Sequence, residues 1–375
     1  MRASARDAMV DAWQKGPGNP ASTHFAGRPQ RRILDDAREK IAFLLGAFPD
    51  EVVFTSGATE ANNLALFGHA FAVGQKAPLA SSPVEHASVL QALQTLEKTG
   101  HPLHLVMPDG AGIVGDLLRE LLSKAPDQKT GLVSLQLANQ ETGAIQPVHE
   151  LGEQVARRIP GWRVHTDATQ AVGKFRVDFH RLSVQSLALS AHKFGGPVGV
   201  GALLVRRGVK LRPIFYGGGQ QDGNRPGTES AALATGMAAA LGEAVADMAD
   251  FSGRSKVMRK RLLESLRNQG VSFLVNGPKE ETGMPHILNL SFPGIRADLI
   301  LMAMDLEKVA VSAGSACSSG SILPSAVLTS MGLSEERVRG AIRISMGHDT
   351  TVEAIEEAAL RLVKVVRRLS PESGV

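Results

Sequence analysis

Short apolar runs alternate with helical patterns along the first two thirds of the chain. Glu51–Phe54 predicts a strand, and Thr59–Phe71 predicts the helix that follows it. Further strands are predicted at residues 130–137, 163–166, 186–190 and 199–205, and a helix at 147–159. The last two strands are apolar throughout, which is typical of strands covered by helices on both faces. Strands separated by helices predict βαβ units and a mainly parallel sheet, so the fold class is α/β.

The pattern changes after Gly227. Thr228–Asp250 predicts a long Ala-rich helix and Ser255–Gln269 a second one. Beyond them the chain predicts strands at 271–275, 287–292 and 341–346, and helices at 297–306 and 351–369. We therefore expect a large domain over residues 18–250 and a smaller α+β domain over 251–375, with residues 1–17 packing with the small domain.

Composition excludes several classes of protein. The 375 residues carry a net charge of only +4, and 43% are hydrophobic, as in an ordinary globular protein. We expect neither a nucleic-acid nor a membrane partner, because the apolar run Ser230–Gly242 is too short to span a bilayer. The single cysteine, Cys317, excludes a disulfide framework and a Cys-rich zinc site within one chain. Since Met1–Trp13 does not resemble a signal peptide, we expect a cytoplasmic protein.

Two motifs follow neighbouring predicted strands. In Ser190–Gly196 a lysine, Lys193, comes directly after a buried strand and before a Gly-Gly turn. Open α/β sheets bind ligands at this carboxyl edge, where desolvation makes a lysine amine nucleophilic; a lysine extending from a strand end to solvent is the alternative. Asp167 also follows a strand and either pairs with the ring nitrogen of pyridoxal phosphate or caps the following helix. Together the two residues favour a cofactor site.

Other segments offer an anion site, a thiol and two further polar groups. Thr55–Glu60 runs from a strand through glycine into a helix, so its N–H groups either bind an anion or form a plain helix start. Cys317 lies in a Gly/Ser-rich stretch, which favours a reachable thiolate over a core residue. His86 either stacks on a flat ring or starts a helix. Arg343, inside a predicted strand, needs an anionic partner, either a substrate carboxylate or a structural one.

Taken together, these motifs resemble the pyridoxal-phosphate-dependent cysteine desulfurases of the class V aminotransferase superfamily. The resembling segments keep the family order over most of the chain: residues 18–28 (GNPASTHFAGR), 54–66 (FTSGATEANNLAL), 85–89 (EHASV), 138–143 (ANQETG), 165–174 (HTDATQAVGK), 190–203 (SAHKFGGPVGVGAL), 225–230 (RPGTES), 312–321 (SAGSACSSGS) and 341–347 (AIRISMG). The resemblance implies an aspartate-aminotransferase-like large domain and a homodimer. The stretch after Cys317 resembles the subgroup with a mobile loop.

The resemblance also implies how the cofactor is held. Lys193 would bind pyridoxal 5'-phosphate as a Schiff base and move the Cα proton. Asp167 would pair with the ring nitrogen, Gln170 with the ring hydroxyl, and His86 would stack on the ring and act as acid and base. Gln140 replaces an Asn that is usual in the family, and we expect it to keep the contact. The phosphate would be bound by Ala58, Thr59, Ser190, His192 and, from the other subunit, Thr228.

For the substrate, the resemblance implies that Arg343 binds the carboxylate of L-cysteine while Cys317 attacks its sulfur. L-Alanine and a cysteine persulfide would result, with a sulfur acceptor or iron–sulfur scaffold protein as partner. We predict no resident metal, and transient iron–sulfur ligation by Cys317 stays open. Family members open with a short strand and an Ala-Thr turn, whereas this chain begins at about the helix that follows. That leaves either an earlier native start or an incomplete substrate site.

Two alternative functions remain at this point. One is a selenocysteine lyase or another β-eliminating enzyme on the same scaffold, which would not need the thiol of Cys317. The other is a weakly active scaffold partner in sulfur transfer. Sulfide release by a Cys317→Ala variant discriminates the first from a desulfurase, and sustained alanine formation excludes the second.

Overall fold

The protein is described by a computed structural model that covers residues 1–73, 76–115, 117–124, 129–279, 282–314 and 324–370. The chain divides into two compact units. Unit 1 comprises Met1–Val106, Asp116–Leu137 and Pro147–Met248. Unit 2 comprises Met107–Gly115, Ala138–Gln146 and Ala249–Val375.

Unit 1 contains a large sheet. Within the described residues it has seven strands: β1 (Val52–Thr55), β2 (Leu79–Ser81), β3 (Leu103–Leu105), β4 (Gly131–Ser134), β5 (Trp162–Asp167), β6 (Ser186–Ser190) and β7 (Gly201–Val205). Their order is β1-β7-β6-β5-β4-β2-β3. The strands β2 to β6 pair in parallel, and only β7 runs antiparallel to its two neighbours. The predicted α/β fold with a mainly parallel sheet is confirmed, and the carboxyl ends of β1, β2, β4, β5 and β6 share one edge.

Helices cover this sheet. Those of unit 1 that precede the long helix described below are α1 (Ala3–Gln14), α2 (Arg28–Leu44), α3 (Ala58–Val73), α4 (Ala87–Lys98), α5 (Leu117–Lys124) and α6 (Val148–Arg158). Helix α3 is largely apolar and packs on the sheet, where Leu64 joins a buried cluster with Val53 and Leu203. Because α3 is a core helix, its buried polar residues Asn62 and His69 need partners inside the protein.

The first residues of the chain belong to unit 1, so the expectation that residues 1–17 pack with the small domain is wrong. Arg2 is only 7% exposed, and its backbone N–H donates to the carbonyl oxygen of Gly195 at 2.7 Å. Its Nη1 atom lies 2.6 Å from Oε1 of Glu243. A buried arginine needs such partners, and they lie far along the chain, where a sequence pattern does not reveal them.

A single helix, α7 (Ala231–Asn268), stands where two were predicted. The expected break around residues 251–254 contains Gly253 but no proline. A lone glycine costs a helix only about 1 kcal/mol relative to alanine, which is too little to end it when the flanking turns are buried. Leu241 and Met258, one on each side of Gly253, are both completely buried.

Unit 2 has the predicted α+β composition. Its antiparallel sheet has the order β10-β9-β8, formed by β8 (Leu274–Asn276), β9 (Ile287–Ser291) and β10 (Ala341–Ser345). Its further helices are α8 (Ala297–Leu306), α9 (Ala326–Ser330), α10 (Glu335–Arg339) and α11 (Val352–Leu369). Leu290, Ile300, Ile342 and Leu362 are buried together in its core. None of the helices in the described ranges is long and apolar enough to cross a membrane.

Candidate active site

Lys193 lies at the carboxyl edge of the large sheet. Strand β6 ends at Ser190, and a short 3-10 turn, Ala191–Phe194, carries the exposed Lys193. Gly195 closes the turn at φ 84°, a left-handed conformation that favours glycine. The N–H of Gly196 then donates to the carbonyl oxygen of Ala191 at 2.9 Å. The turn therefore presents the amine at the edge where sheets of this kind bind ligands.

Asp167 reaches the same edge from the neighbouring strand. It ends β5, which pairs in parallel with β6, and its Cα partner there is Ala188. The carboxylate is buried, with 6% exposure. Its Oδ1 atom accepts the N–H of Thr169 at 2.9 Å, as a turn cap does, while Oδ2 accepts from Asn62 at 2.8 Å. The turn cap thus occupies only one of the two carboxylate oxygens. Lys193 and Asp167 lie at the ends of adjacent parallel strands, on the same edge of the sheet.

The loop between β1 and α3 forms the predicted anion site. Ala58 and Thr59 open α3, whose first N–H groups have no partner within the helix. Gly57 lies so close to β7 that a Cβ on Gly201 would come within 2.7 Å of the Gly57 Cα. Ser190 is adjacent, because its Oγ would lie 3.6 Å from a Cβ on Gly57. The helix start and Ser190 are therefore brought together, as phosphate binding requires.

His192 accompanies Ser190 at this position. The Ser190 Oγ and His192 Nδ1 atoms are 2.9 Å apart. Burial lowers the pKa of His192 below its usual value, and the positive charges of Lys193 and Lys174 lower it further. A neutral His192 is therefore favoured next to the lysine amine.

Two further cofactor candidates also belong to unit 1. Gln170 is half-buried, and its Oε1 accepts from Nζ of Lys174 at 3.2 Å. Thr228 is exposed and lines a cavity of about 160 Å³ together with Thr55 and Arg225. The placement of Thr228 on this surface is consistent with a contact from outside its own subunit, which stays a prediction.

His86 is the N-cap residue of α4, so the helix-start interpretation describes its local structure. Its Nδ1 atom accepts the N–H of Ser88 at 3.1 Å and lies 2.8 Å from the Ser88 Oγ. With Nδ1 occupied as an acceptor, a neutral His86 carries its proton on Nε2. The imidazole thus offers one defined proton donor.

In unit 2, Arg343 lies in the middle of β10. Its Nη1 donates to the backbone oxygen of Gln140 at 3.0 Å, and its Nη2 to Oγ of Ser312 at 3.4 Å. Its Nε is buried and has no hydrogen-bond partner among the described residues. A buried donor without a partner is costly, and a carboxylate oxygen would satisfy it. Gln140 and Arg343 are thus neighbours, whereas Cys317 lies outside the described residues.

The comparisons with known proteins decide the family. Residues 3–357 match the Aminotransferase class-V family. The cysteine desulfurase IscS of Dictyoglomus turgidum is 38% identical over 375 residues, which cover 99% of this chain and 94% of that protein. This chain belongs to the cysteine desulfurase family. The resemblance stated from the motifs is confirmed, and the chain is a pyridoxal-phosphate-dependent enzyme.

Further members and solved structures agree with this family. The IscS-like cysteine desulfurase of Mycobacterium tuberculosis is 38% identical, with 97% of this chain and 92% of that protein covered. A solved NifS-like protein superposes with a TM-score of 0.90 at 32% identity, over 98% of this chain and 97% of that one. The structure of SspA in complex with cysteine gives a TM-score of 0.79 at 31% identity, over 92% and 95% of the two chains.

The residues of unit 1 fit the cofactor of this family. Among the described residues, Thr169 Oγ1 and Ser82 Oγ are buried without hydrogen-bond partners, within two residues of the carboxyl ends of β5 and β2. Buried polar atoms normally have partners, so this edge is built to receive a polar group. Lys193, the carboxylate of Asp167 and the start of α3 would supply the amine, the ring-nitrogen partner and the anion site, as predicted from the sequence.

Sequence reasoning missed the polar residues behind Asp167. Asn62 and His165 are completely buried, and both belong to a hydrogen-bonded chain that ends on Asp167. Glu85 is buried as well, and burial together with the negative charge of Asp167 raises its pKa to about 8. The spacing offered one signal, because His165 and Asp167 are two residues apart on β5 and so share a face of the sheet.

Proposed function

We propose that this protein is a cysteine desulfurase that takes the sulfur atom of L-cysteine and releases L-alanine. The observation that carries the proposal is the placement of Lys193 and Asp167 at the ends of two adjacent parallel strands. An amine and a buried carboxylate at one sheet edge are what pyridoxal phosphate needs. When bound, this cofactor supplies an electron sink that weakens the bonds at the substrate Cα and Cβ.

The protein's own residues bind and orient the reactants. Lys193 would hold the cofactor covalently and carry the Cα proton on Nζ. The start of α3, with Ala58 and Thr59, would bind its phosphate, aided by the helix dipole. Asp167 would keep the ring nitrogen protonated, because its Oδ2 is already held in place by Asn62. His86 would cover the ring and give or take a proton at Nε2.

Arg343 would bind the substrate carboxylate. Its two terminal nitrogens are held by Gln140 and Ser312, so the guanidinium is oriented before a ligand arrives. The buried Nε then offers a charge-assisted hydrogen bond that no described residue accepts. This geometry favours an amino acid substrate with a free carboxylate.

The thiolate of Cys317 would take the sulfur. Its sulfur forms a bond to the substrate sulfur while the C–S bond of cysteine breaks. The carbon keeps the electron pair of that bond and takes up a proton, so alanine leaves and Cys317 becomes a persulfide. Atoms balance without an oxidant, because cysteine and a thiol contain the same atoms as alanine and a persulfide.

Intact-mass spectrometry tests this function directly, since the chain has a single cysteine. After incubation with L-cysteine, the holoenzyme should gain about 32 Da, one sulfur atom, and reducing agent should remove it. The Cys317→Ser variant should bind the cofactor and gain no mass. Sulfide and pyruvate formed at the parental rate by Cys317→Ser would instead indicate simple elimination, and no alanine from the parent over many turnovers would indicate a scaffold role.

We also propose that the persulfide passes to a thiol of an acceptor protein and supplies iron–sulfur cluster assembly. The names of the IscS relatives support this pathway. A homodimer is supported by exposed apolar side chains in the same unit as Thr228, namely Val198, Phe215 and Tyr216. A cytoplasmic location suits the chemistry, because that compartment keeps a thiol such as Cys317 reduced. Labelled-persulfide transfer and cell fractionation test the acceptor and the location.

A further inference from the structure

A chain of buried hydrogen bonds lies behind the predicted cofactor site, entirely within unit 1. Starting at the carboxylate, Nδ2 of Asn62 is 2.8 Å from Oδ2 of Asp167, and Oδ1 of Asn62 is 3.0 Å from Nε2 of His165. The chain continues from Nδ1 of His165 to Oγ of Ser186 at 2.9 Å and from there to Nε2 of His69 at 2.8 Å. It ends where Nη1 of Arg163 lies 3.0 Å from Nδ1 of His69.

Regular secondary structure aligns these residues. Arg163, His165 and Asp167 alternate along β5 and share one face of the sheet. Asn62 and His69 are seven residues apart on α3, about two turns, and therefore face the same strand. The seven-residue step from Asn62 to His69 along α3 rises about 10 Å, and the four-residue step from Arg163 to Asp167 along β5 rises about 13 Å. The two spans are therefore similar in length.

The two ends give this chain a single direction. Arginine only donates hydrogen bonds and a carboxylate only accepts them. His69 must therefore accept from Arg163 at Nδ1 and carry its own proton on Nε2, which donates to the Ser186 Oγ. The Ser186 hydroxyl then donates to Nδ1 of His165, whose Nε2 proton donates to Asn62. All five bonds point from the cation to the anion.

Asn62 connects this chain to His86 as well. Both N–H groups of its amide are used, one on Asp167 and the other on the Ser88 Oγ at 2.9 Å. The Ser88 hydroxyl is then oriented to donate to Nδ1 of His86. One buried amide thus orients both the predicted ring-nitrogen partner and the predicted proton donor.

We propose that Asn62 is a positioning residue for the reaction, and that a one-way hydrogen-bond chain from Arg163 holds the carboxylate of Asp167 in one orientation. The inference rests on the proposed function for its chemical meaning, but its geometry stands by itself. A hydrogen bond donated to an anion inside a protein is strong, and bonds in a chain strengthen one another.

Burial is consistent with this chain. It lowers the pKa of His165 to about 4, against the opposing effect of the Asp167 charge, and it lowers the pKa of His69 well below the usual value, as does the charge of Arg163. Both rings are therefore neutral at pH 7, as the single direction requires. The other titratable groups around Asp167 are Glu85, from the loop after β2, and His86, from the start of α4.

The first test needs no activity. In protein labelled with ¹⁵N at the histidine rings, two-bond ¹H–¹⁵N spectra distinguish the tautomers of His165 and His69, assigned with His165→Gln and His69→Gln. Both rings should be neutral at pH 7, with the proton on Nε2. A proton on Nδ1 of either ring, or a charged ring at pH 7, would overturn the proposed direction of the chain.

The second test uses the visible absorption of the holoenzyme. In Asn62→Leu the ring nitrogen of the cofactor is less firmly protonated, so the nitrogen of Lys193 keeps its proton to higher pH. The pH midpoint of the visible band should rise by about one unit, with kcat reduced and the KM for cysteine little changed. A midpoint within about 0.3 units of the parent, in a folded variant with full cofactor content, contradicts the proposal.

Matched histidine variants separate positioning from general damage. His165→Phe removes both ring nitrogens and should also raise the pH midpoint of the visible band. His165→Gln keeps a donor towards Asn62, so its midpoint should stay close to that of the parent. His101→Phe is the control, because His101 is equally buried and bonds only its Nδ1 to the Ala77 oxygen in the described contacts. Equal shifts in all three variants would contradict the chain. If the parent binds the cofactor but does not desulfurate cysteine, the proposed function is refuted. The shifts of the pH midpoint in these variants would still test the hydrogen-bond chain.

Discussion

At the scale of single residues, burial decides the charge of the acidic groups near the predicted cofactor site. Asp167 receives hydrogen bonds on both oxygens. Glu85 accepts from the Ser134 hydroxyl at 3.3 Å and from the backbone of Gln136 and His86, but its Oε2 has no partner among the described residues. Burial and the nearby negative charge of Asp167 both raise the pKa of Glu85, so Glu85 keeps its proton at neutral pH.

This difference predicts how stability depends on pH. Unfolded Glu85 releases its proton near pH 4.5, whereas the folded protein keeps it to about pH 8. The stabilising contribution of Glu85 is therefore fully present below about pH 4.5 and is lost as the pH rises to about 8. Over this range the free energy of unfolding falls by at most about 1.4 kcal/mol per pH unit. Glu85→Gln removes this dependence, so its stability relative to the parent should increase from pH 5 to pH 8.

Urea unfolding at a series of pH values measures that difference. Glu97→Gln is the control, because Glu97 is exposed on α4 and its substitution should give a constant difference. Parallel pH curves for the parent and Glu85→Gln would show that Glu85 is ionised in the folded protein.

Substitution of Arg343 is expected to weaken substrate binding without changing cofactor binding. Arg343→Gln removes the charged donor that Nε offers, which should raise the KM for cysteine about 10- to 100-fold, the value of one charge-assisted hydrogen bond. The visible band of the cofactor should not change. Arg339→Gln is the control, since Arg339 is exposed and paired with Glu335. An unchanged KM in a folded Arg343→Gln enzyme would remove this arginine from the substrate site.

At the scale of elements, the turn that carries Lys193 is supported by the start of the chain. Nε of Arg2 donates to the backbone oxygen of Phe194 at 3.1 Å, and its N–H donates to Gly195. Arg2 is itself held by Glu243 on α7. The position of the lysine therefore depends on three elements, of which only the β6 turn was visible in the sequence motif.

Removing this support should loosen the turn. Arg2→Ala leaves the Phe194 oxygen without its donor and should cost about 2 kcal/mol of unfolding free energy, with weaker retention of the cofactor. Thermal unfolding and cofactor content after gel filtration measure the two effects. Arg6→Ala is the control, because Arg6 lies on the same helix with its side chain 63% exposed. Identical behaviour of the two variants would contradict a supporting role for Arg2.

At the scale of the whole molecule, the predicted groups are distributed over both units. Lys193 and Asp167 belong to unit 1, and Gln140 and Arg343 to unit 2. The net charge of +4 over 375 residues is too small to drive association by itself. The proposed homodimer therefore depends on apolar surface, and Tyr216, which is 89% exposed, is its most exposed aromatic candidate.

A charge at that position should weaken the dimer. Tyr216→Asp buries an unpaired carboxylate if the side chain lies in the interface, and should raise the dimer dissociation constant about 30-fold or more. Sedimentation velocity across a concentration series measures it. Phe43→Asp serves as the control, since Phe43 is 84% exposed on α2. A monomeric parent, or equal effects of the two substitutions, would contradict the proposed interface.

The sequence by itself determined the α/β class, the strand ends that carry Lys193 and Asp167, and the strand-to-helix turn at the start of α3. These follow from periodicity and from residue types next to one another, which are local properties. Its motifs also identified the family. The sequence pattern could not decide between one long α7 and two helices, because burial of the turns on both sides of Gly253 outweighs the local cost of glycine.

Only the tertiary structure decided which polar groups are paired in the interior. Asn62 reaches Asp167 from 105 residues away, and Arg2 reaches Phe194 from 192 residues away. Neither pairing leaves a local pattern, because a buried polar group takes whichever partner the packing of distant elements brings within about 3 Å. Candidates for the residues of the chemistry could thus be named from the sequence, whereas the buried residues that contact them could not.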